Sequence, residues 1–350
     1  MTTTTQTRFP GAALAFDLPT FFPRSIMGQI TEVRVDAPTI MYEQAQARAR
    51  RPKLTKDGRL VIIAADHTAH HDARVGANPL AMANRYELLG RILRVLVSPE
   101  VDGLLATPDI IEDLLIVDAL LARKGVAALL DHKVLVGTLN PGGLGGSTWE
   151  LNSPATSYTP RHIVQLRLDG AKMLLRASLE HAETLPTLVA AAEVINALTD
   201  SGVPTFIEPI PVQRKDGAFS LRKHADALAP LVCVCSALGG SSRHSWLKVP
   251  YCEDFELVAG ASTLPILMLG GASLENPAPM LAEFSTGMAA GPNVRGAMVG
   301  RNVLYPGNVD PQLVGRAISR IVHRGESGEQ VLDFMRTGRA EHTETFSCLQ

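Results

Sequence analysis

The chain has 350 residues, 46% of them hydrophobic and 19% charged, with 33 Lys and Arg against 35 Asp and Glu. A formal charge of −2 and the lack of a dominating Lys/Arg run argue against a nucleic-acid or membrane-surface role. No apolar run approaches the ~18 residues that a bilayer crossing needs, and the length suits one large domain with an appendage.

The opening stretch, MTTTTQTRFPGAALAFDLPTFFPR, lacks a basic cluster followed by a continuous apolar core and does not read as a signal peptide. Its Thr run at 2–5 is expected to be disordered. Residues 1–58 read as an N-terminal extension, in which the Ala/Arg-rich helical segment 37–51 is expected to cover the bottom of the domain that follows.

From residue 59 onward, apolar runs alternate with helical patterns. The runs are RLVIIAADH (59–67), VDGLLATP (101–108), KVLVGTLN (133–140), GAKMLLRAS (170–178), VPTFIEPIP (203–211), WLKVPY (246–251), LPILMLGG (264–271) and GAMVGRNVL (296–304). Continuous apolar runs suit strands buried on both faces. Between them, 109–124 sets Ile110, Leu114, Val117 and Leu121 on one stripe, with Asp109 as its expected cap and Gly125 as its stop. A second long helical pattern runs over 181–200. Eight strand–helix units over 59–325 predict an α/β fold, a (β/α)8 TIM barrel with an N-terminal helical extension. An open doubly wound sheet is disfavoured because no G-x-G-x-x-G follows the first strand. The polar tail, 326–350, is expected to end loosely.

The four cysteines are Cys233, Cys235, Cys252 and Cys348. Cys233 and Cys235 lack the spacing of a redox or zinc pair and lie in an apolar stretch. They read as buried free thiols, so the expected compartment is a reducing cytoplasm.

Barrels of this type gather their chemistry at the carboxyl ends of the strands. There the chain sets Asp66 and His67, Thr107, Asn140, Lys172 and Arg176, Glu208, Lys248, Gly270 and Gly271, and Gly300 and Arg301. So many charges facing one cavity are costly to bury unless they serve a polar ligand. Lys248, alone in WLKVPY, is the candidate nucleophile, its pKa lowered by desolvation and by Lys172. Glu208 is the candidate proton shuttle, and Asp66 the group that orients substrate hydroxyls or assists carbinolamine dehydration. Gly270, Gly271, Gly300 and Arg301 form the expected phosphate site, with backbone N–H groups and a guanidinium. The rival reading of DHTAHHD (66–72) is a metal cluster of His67, His70 and His71, but these spacings match no standard metal motif. NPGGLGGSTWE (140–150) lacks the Lys-Ser/Thr of a nucleotide loop and reads as a mobile lid.

The motifs AADH, AKMLLRAS, FIEP, WLKVPY, LGGAS and VGRNVLYP resemble the class I aldolases of the deoxyribose-phosphate, tagatose-bisphosphate and fructose-bisphosphate aldolase superfamily, over residues 59–324. The resemblance implies Lys248 as Schiff-base lysine and Glu208 as acid/base. It makes Asp66 and Lys172 substrate-binding residues, and Gly271 and Arg301 phosphate contacts. It implies a phosphorylated sugar substrate, no metal or other cofactor, and a homo-oligomer. His67, which opens a His-rich loop, and Arg176, both expected to bind substrate, depart from the pattern of a bisphosphate enzyme. A substrate with one phosphate and one carboxylate fits better, with Arg176, Arg243 or His70 as anion partners. The chain is most similar to the inositol-catabolic aldolases that cleave 5-dehydro-2-deoxy-6-phosphogluconate to malonate semialdehyde. Fructose- or tagatose-bisphosphate aldolase, deoxyribose-phosphate aldolase and a non-catalytic sugar-phosphate sensor are the alternatives.

Overall fold

Every apolar run expected to be a strand is one in the computed structural model, which describes residues 16–338 and 345–350. The strands are β1 (Leu60–Ala64), β2 (Gly103–Ala106), β3 (Val134–Thr138), β4 (Gly170–Ala177), β5 (Thr205–Lys215), β6 (Ala218–Leu221), β7 (Ser245–Pro250), β8 (Ile266–Leu269) and β9 (Val294–Val299). Eight of them pair in parallel in the order β4-β3-β2-β1-β9-β8-β7-β5, and a β4–β5 pairing closes the ring. The architecture is a (β/α)8 barrel.

Within the ring the strands are buried on both faces, and side-chain alternation separates two cores. One residue set, including Leu60, Ile62, Leu105, Val134, Val136, Phe206, Leu267 and Met298, fills the barrel interior. The alternate set, including Val61, Ile63, Leu104, Leu135, Met173, Ile207, Leu247 and Val249, packs beneath the helices. Lys172, Arg176, Glu208 and Lys248 share the parity of the inward set. They therefore stand at the upper end of the interior, above the apolar layers.

Three helices precede the barrel: α1 (Leu18–Phe21), α2 (Ser25–Asp36) and α3 (Ile40–Ala47). Around it lie α4 (Arg85–Leu96), α5 (Pro108–Arg123), α6 (Pro160–Gln165), α7 (Thr184–Asp200), α8 (Ala225–Ser236), α9 (Phe255–Gly260), α10 (Ala278–Gly287), α11 (Arg301–Leu304) and α12 (Pro311–Arg324). In α5, Thr107 and not Asp109 is the N-cap residue. Pro108 starts the helix, and Asp109 lies in its first turn, hydrogen-bonded to Thr107 and paired with Arg85. Asp310 caps α12 by accepting from Gln312 N, and Gly325, at φ 69°, ends it.

The segment after α3 crosses the bottom of the barrel. Arg48 donates to Lys133 O (2.9 Å) and Asp169 (3.0 Å), Arg50 to Asp169 (2.7 Å), and Arg51 pairs with Asp102 at 2.8 Å. Asp102, Lys133 and Asp169 immediately precede β2, β3 and β4, so these ties lie opposite the end that carries Lys172, Glu208 and Lys248.

Three expectations need correction. The tail is not loose over its described part: residues Gly328–Thr337 form α13, opened by a Ser327/Gln330 capping box. Its Val331 and Met335 are buried against α10 and α12. Beyond it, Phe346 is fully buried edge-on to Phe21 and Phe22. Polar composition hid an amphipathic stripe of few but well-spaced apolar residues. Secondly, β5 runs past the barrel rim and folds back as an antiparallel hairpin with β6, which no apolar run announced because β6 is largely solvent-facing. Thirdly, all four cysteines are free, but Cys233 is exposed on α8 while Cys235 is buried. Among the described residues no helix is long and apolar enough to cross a membrane.

Candidate active site

At the upper end of the interior, four charged side chains form one continuous chain. Lys248 Nζ lies 2.8 Å from Glu208 Oε1, and Glu208 Oε2 lies 2.6 Å from Lys172 Nζ. Lys172 donates in turn to Asp66 Oδ2 at 2.9 Å. All four are at most 7% exposed. The chain links β7, β5, β4 and the turn after β1, with alternating charge at each step. Buried charges are tolerable when paired in this way, and removing one member strands its neighbour.

The two lysines differ in what surrounds them. Burial alone would lower Lys172, but Asp66 and Glu208 flank it, and together they raise its pKa above the ordinary value. Lys248 has only one oxygen of Glu208. Burial dominates there, the Lys172 charge adds to it, and the pKa of Lys248 falls. Burial opposes ionisation of Glu208 too, yet Lys172 and Lys248 outweigh it and hold the carboxyl down at about 2. Asp66 is likewise held well below the carboxylate range, against burial, by Lys172, His70 and Lys248. The site therefore presents one ammonium (Lys172), two carboxylates, and a second amine, Lys248, biased toward its neutral nucleophilic form.

These residues line a cavity of about 260 Å³ that also reaches His67, His70, Arg176, Gly270, Gly271, Gly300 and Arg301. A more open cleft of about 720 Å³ lies beside it, near Leu80 and Tyr305. Its charges are spent locally, since Arg91 bonds Glu87 and Leu304 O.

The glycines expected to hold phosphate do three different jobs. Gly271 has φ 66°, and a Cβ there would meet nothing, so it is the glycine that opens a left-handed turn onto the cavity. Gly270 packs under Val299, Met280 and Asn302. At Gly300 a Cβ would collide with Ala64 O and the His67 ring, so that glycine makes room for β1 and His67. Asn302, which the sequence reading did not single out, donates to Gly270 O (2.8 Å) and Ala272 O (3.2 Å). These two bonds consume the carbonyls of the 270–272 turn on the side away from the cavity. Arg301 lines the cavity, pairs with Asp72 at 2.7 Å, and keeps its buried Nε without a partner among the described residues. Burial and the Arg301 charge push the His67 ring down to about 3, so it is neutral.

On the other side of the ring, Arg176 also lines the cavity, but its guanidinium is partly engaged. Nε lies 3.3 Å from Glu150, and Nη1 donates to Gly143 O at 2.5 Å. Glu150, also missed in the sequence, thus ties the Gly-rich loop to β4, and Gly145 N donates to His70 O at 3.0 Å. The loop expected to be a lid is anchored at both places. The three histidines of 66–72 do not converge: His67 packs on Gly300, His70 approaches Asp66 and Lys172 at 3.4 Å, and His71 turns outward to Gly145 O. Among the described residues no three His, Cys, Asp or Glu side chains are grouped to hold a metal ion. Arg243 cannot serve as an anion partner. It precedes β7 at the bottom of the barrel and donates to Thr199 O. Asn140 is a clamp: it bonds the backbone of Leu174 and Ser153.

Comparison with known proteins agrees with this architecture. The crystal structure of Cgl0159 from Corynebacterium glutamicum is 36% identical, over 88% of this chain and 100% of that one, with a TM-score of 0.81. An archaeal fructose 1,6-bisphosphate aldolase matches over 81% of this chain and 100% of its own, at 19% identity and a TM-score of 0.55. The fructose-bisphosphate aldolase from Slackia heliotrinireducens matches over 94% and 97%, at 14% identity and a TM-score of 0.59. At such identities these two aldolases share the fold. The sequence profile of Cgl0159-like proteins covers residues 58–320. The chain belongs to the Cgl0159-like family.

Proposed function

We propose that this protein is a class I aldolase, a carbon–carbon lyase acting through a Schiff base on Lys248. The observation that carries the reading is the unequal placement of the two buried lysines: Lys172 lies between Asp66 and Glu208, at 2.9 and 2.6 Å, whereas Lys248 meets Glu208 alone, at 2.8 Å, and burial lowers its pKa. One of the enzymes sharing the fold is described as a Schiff-base-forming fructose-1,6-bisphosphate aldolase, the chemistry that such a lysine suits.

In this reading Lys248 Nζ adds to the substrate ketone, and loss of water gives an iminium that serves as the electron sink. Glu208, ionised and 2.8 Å from Lys248, takes the proton of the hydroxyl on the far carbon of the breaking bond. An aldehyde leaves, the enamine is protonated, and hydrolysis frees dihydroxyacetone phosphate. Asp66 and Lys172 hold substrate hydroxyls. The N–H groups of the 270–272 turn and Arg301 hold the phosphate. Our preferred substrate is 5-dehydro-2-deoxy-6-phosphogluconate, as in inositol catabolism, with malonate semialdehyde as the departing aldehyde. Arg176, beside the apolar Leu174, Ile210 and Leu221, then faces its carboxylate. A cytoplasmic homo-oligomer belongs to the same proposal.

Borohydride reduction with dihydroxyacetone phosphate, followed by peptide mass analysis, tests the reading. It requires an adduct on Lys248. No adduct, or one on another residue, sinks it. Release of dihydroxyacetone phosphate from the sugar acid, compared with its release from fructose and tagatose bisphosphates and with release of acetaldehyde from deoxyribose phosphate, decides the substrate.

A further inference from the structure

His70 is the buried group at the site that the steps above leave idle. Its Nε2 stands 3.4 Å from Asp66 Oδ2 and 3.4 Å from Lys172 Nζ. Its Nδ1 is buried with no partner among the described residues. The two neighbours of Nε2 make opposite demands. The Lys172 ammonium only donates and needs a lone pair on Nε2, whereas the Asp66 carboxylate only accepts and needs N–H there. A neutral ring can meet one demand at a time. It changes from one to the other only by exchanging a proton at each nitrogen.

The proposed reaction borrows one proton from the site. When the carbinolamine on Lys248 collapses to the iminium, its C–O bond breaks with the electron pair on oxygen. The departing hydroxyl must receive a proton to leave as water. Hydrolysis of the final iminium returns that proton. Asp66 and Glu208 are held ionised and have none to lend. Lys172 has one, and it touches both carboxylates. Once it has lent it, it is a neutral amine between two anions.

We propose that His70 is a positioning residue that recharges Lys172 during iminium formation, passing Nε2–H to Lys172 Nζ while Nδ1 receives a proton relayed from bulk solvent, the one proton that iminium formation from a neutral amine consumes. The ring starts with its proton on Nε2, donated to Asp66, and ends with it on Nδ1; hydrolysis runs the exchange backward, so no proton is gained or lost over a turnover. The proposal rests on the Schiff-base reading. The charged groups facing the ring are Asp66 on its own turn and Lys172 and Arg176 on β4. Loss of the Lys172 charge removes the nearer cation at the moment when the ring must accept a proton. The loop contact at this residue runs through its backbone, His70 O to Gly145 N, so replacing the side chain leaves it intact.

The test is rapid-quench borohydride trapping with dihydroxyacetone phosphate as the probe, reading the rate of adduct formation on Lys248. H70A is expected to slow trapping about a hundredfold, the scale of a lost acid–base partner. The probe concentration at half-saturation stays unchanged, and imidazole added to fill the vacated space restores the rate. H70Q, which keeps the volume without a ring, shows the same loss and no rescue, and it serves should H70A fail to fold. Trapping at the wild-type rate in either variant overturns the proposal while the adduct on Lys248 still stands. So does a loss that comes with weakened probe binding and resists imidazole. Absence of adduct in the wild type overturns both this proposal and the reading beneath it.

Discussion

Lys172 is the cation that Asp66 and Glu208 share. K172M leaves two buried carboxylates without their shared cation, an outcome that costs about 3–5 kcal/mol in comparable buried pairs. Urea unfolding should register that loss. The same variant leaves Glu208 to Lys248 alone and removes the neighbouring positive charge. The pKa of Lys248 then rises, and the pH profile of borohydride trapping moves to higher pH. E208Q behaves differently: it retains the shape of the site and removes the base, so turnover falls about 10²–10⁴-fold while the adduct on Lys248 still forms. Comparing steady-state turnover with trapping on the same preparation separates the two effects. Lys172, Glu208 and Lys248 were legible in the sequence because each interrupts an apolar strand, where a charge has no other reason to be, and Asp66 because it directly follows the apolar run of β1. Asn302, Glu150 and Asp72 were not. Each looks ordinary among its sequence neighbours, and its partner lies on an element that only the closed ring brings near.

Among the elements, the turn after β8 and the bottom of α12 are the ones whose behaviour follows most directly from their contacts. N302A frees the carbonyls of Gly270 and Ala272, so the turn that presents Gly271 is no longer held. KM for a phosphorylated substrate should rise about tenfold with kcat much less changed, the loss expected for about one to two hydrogen bonds of positioning. At the other end of the barrel, His323 on α12 joins Asp57 (2.8 Å) and Asp102 (2.9 Å). Burial would lower this histidine, but the two hydrogen-bonded carboxylates outweigh it and raise its pKa. The raised value fixes the direction: the clasp contributes fully below the unfolded histidine's ~6.5 and is lost as pH climbs through the folded value. The urea midpoint of the wild type should therefore fall between about pH 6 and pH 8, and H323Q should flatten that slope. A wild-type midpoint that rises over this window contradicts the assignment. The strands themselves were readable because burial on both faces leaves an unbroken apolar run. The β5–β6 hairpin and α13 were not, since one is exposed and the other shows only a narrow apolar stripe.

Over the whole molecule, the first described helices meet the last described residues. Phe346 packs edge-on against Phe21 and Phe22, at 5.0 and 5.6 Å between ring centres, and Gln29 donates to Leu349 O at 2.8 Å. F346A should cost about 3–5 kcal/mol, as a fully buried Phe does when truncated. Calorimetry or urea unfolding would show it, and a loss below about 1 kcal/mol would mean the terminal contact is not part of the cooperative fold. The arginines beneath the barrel have a kinetic consequence. Arg48 reaches Asp169 across 121 residues, and Gln29 reaches Leu349 across 320. Contacts between residues so distant in sequence form slowly, because the intervening chain must be ordered first. During synthesis, α1 to α3 leave the ribosome before any of the strands they brace exists. Arg34 and Arg51 find Asp113 and Asp102 early, but Phe21, Phe22 and Gln29 must wait for almost the last residues before their contacts with Phe346 and Leu349 can form.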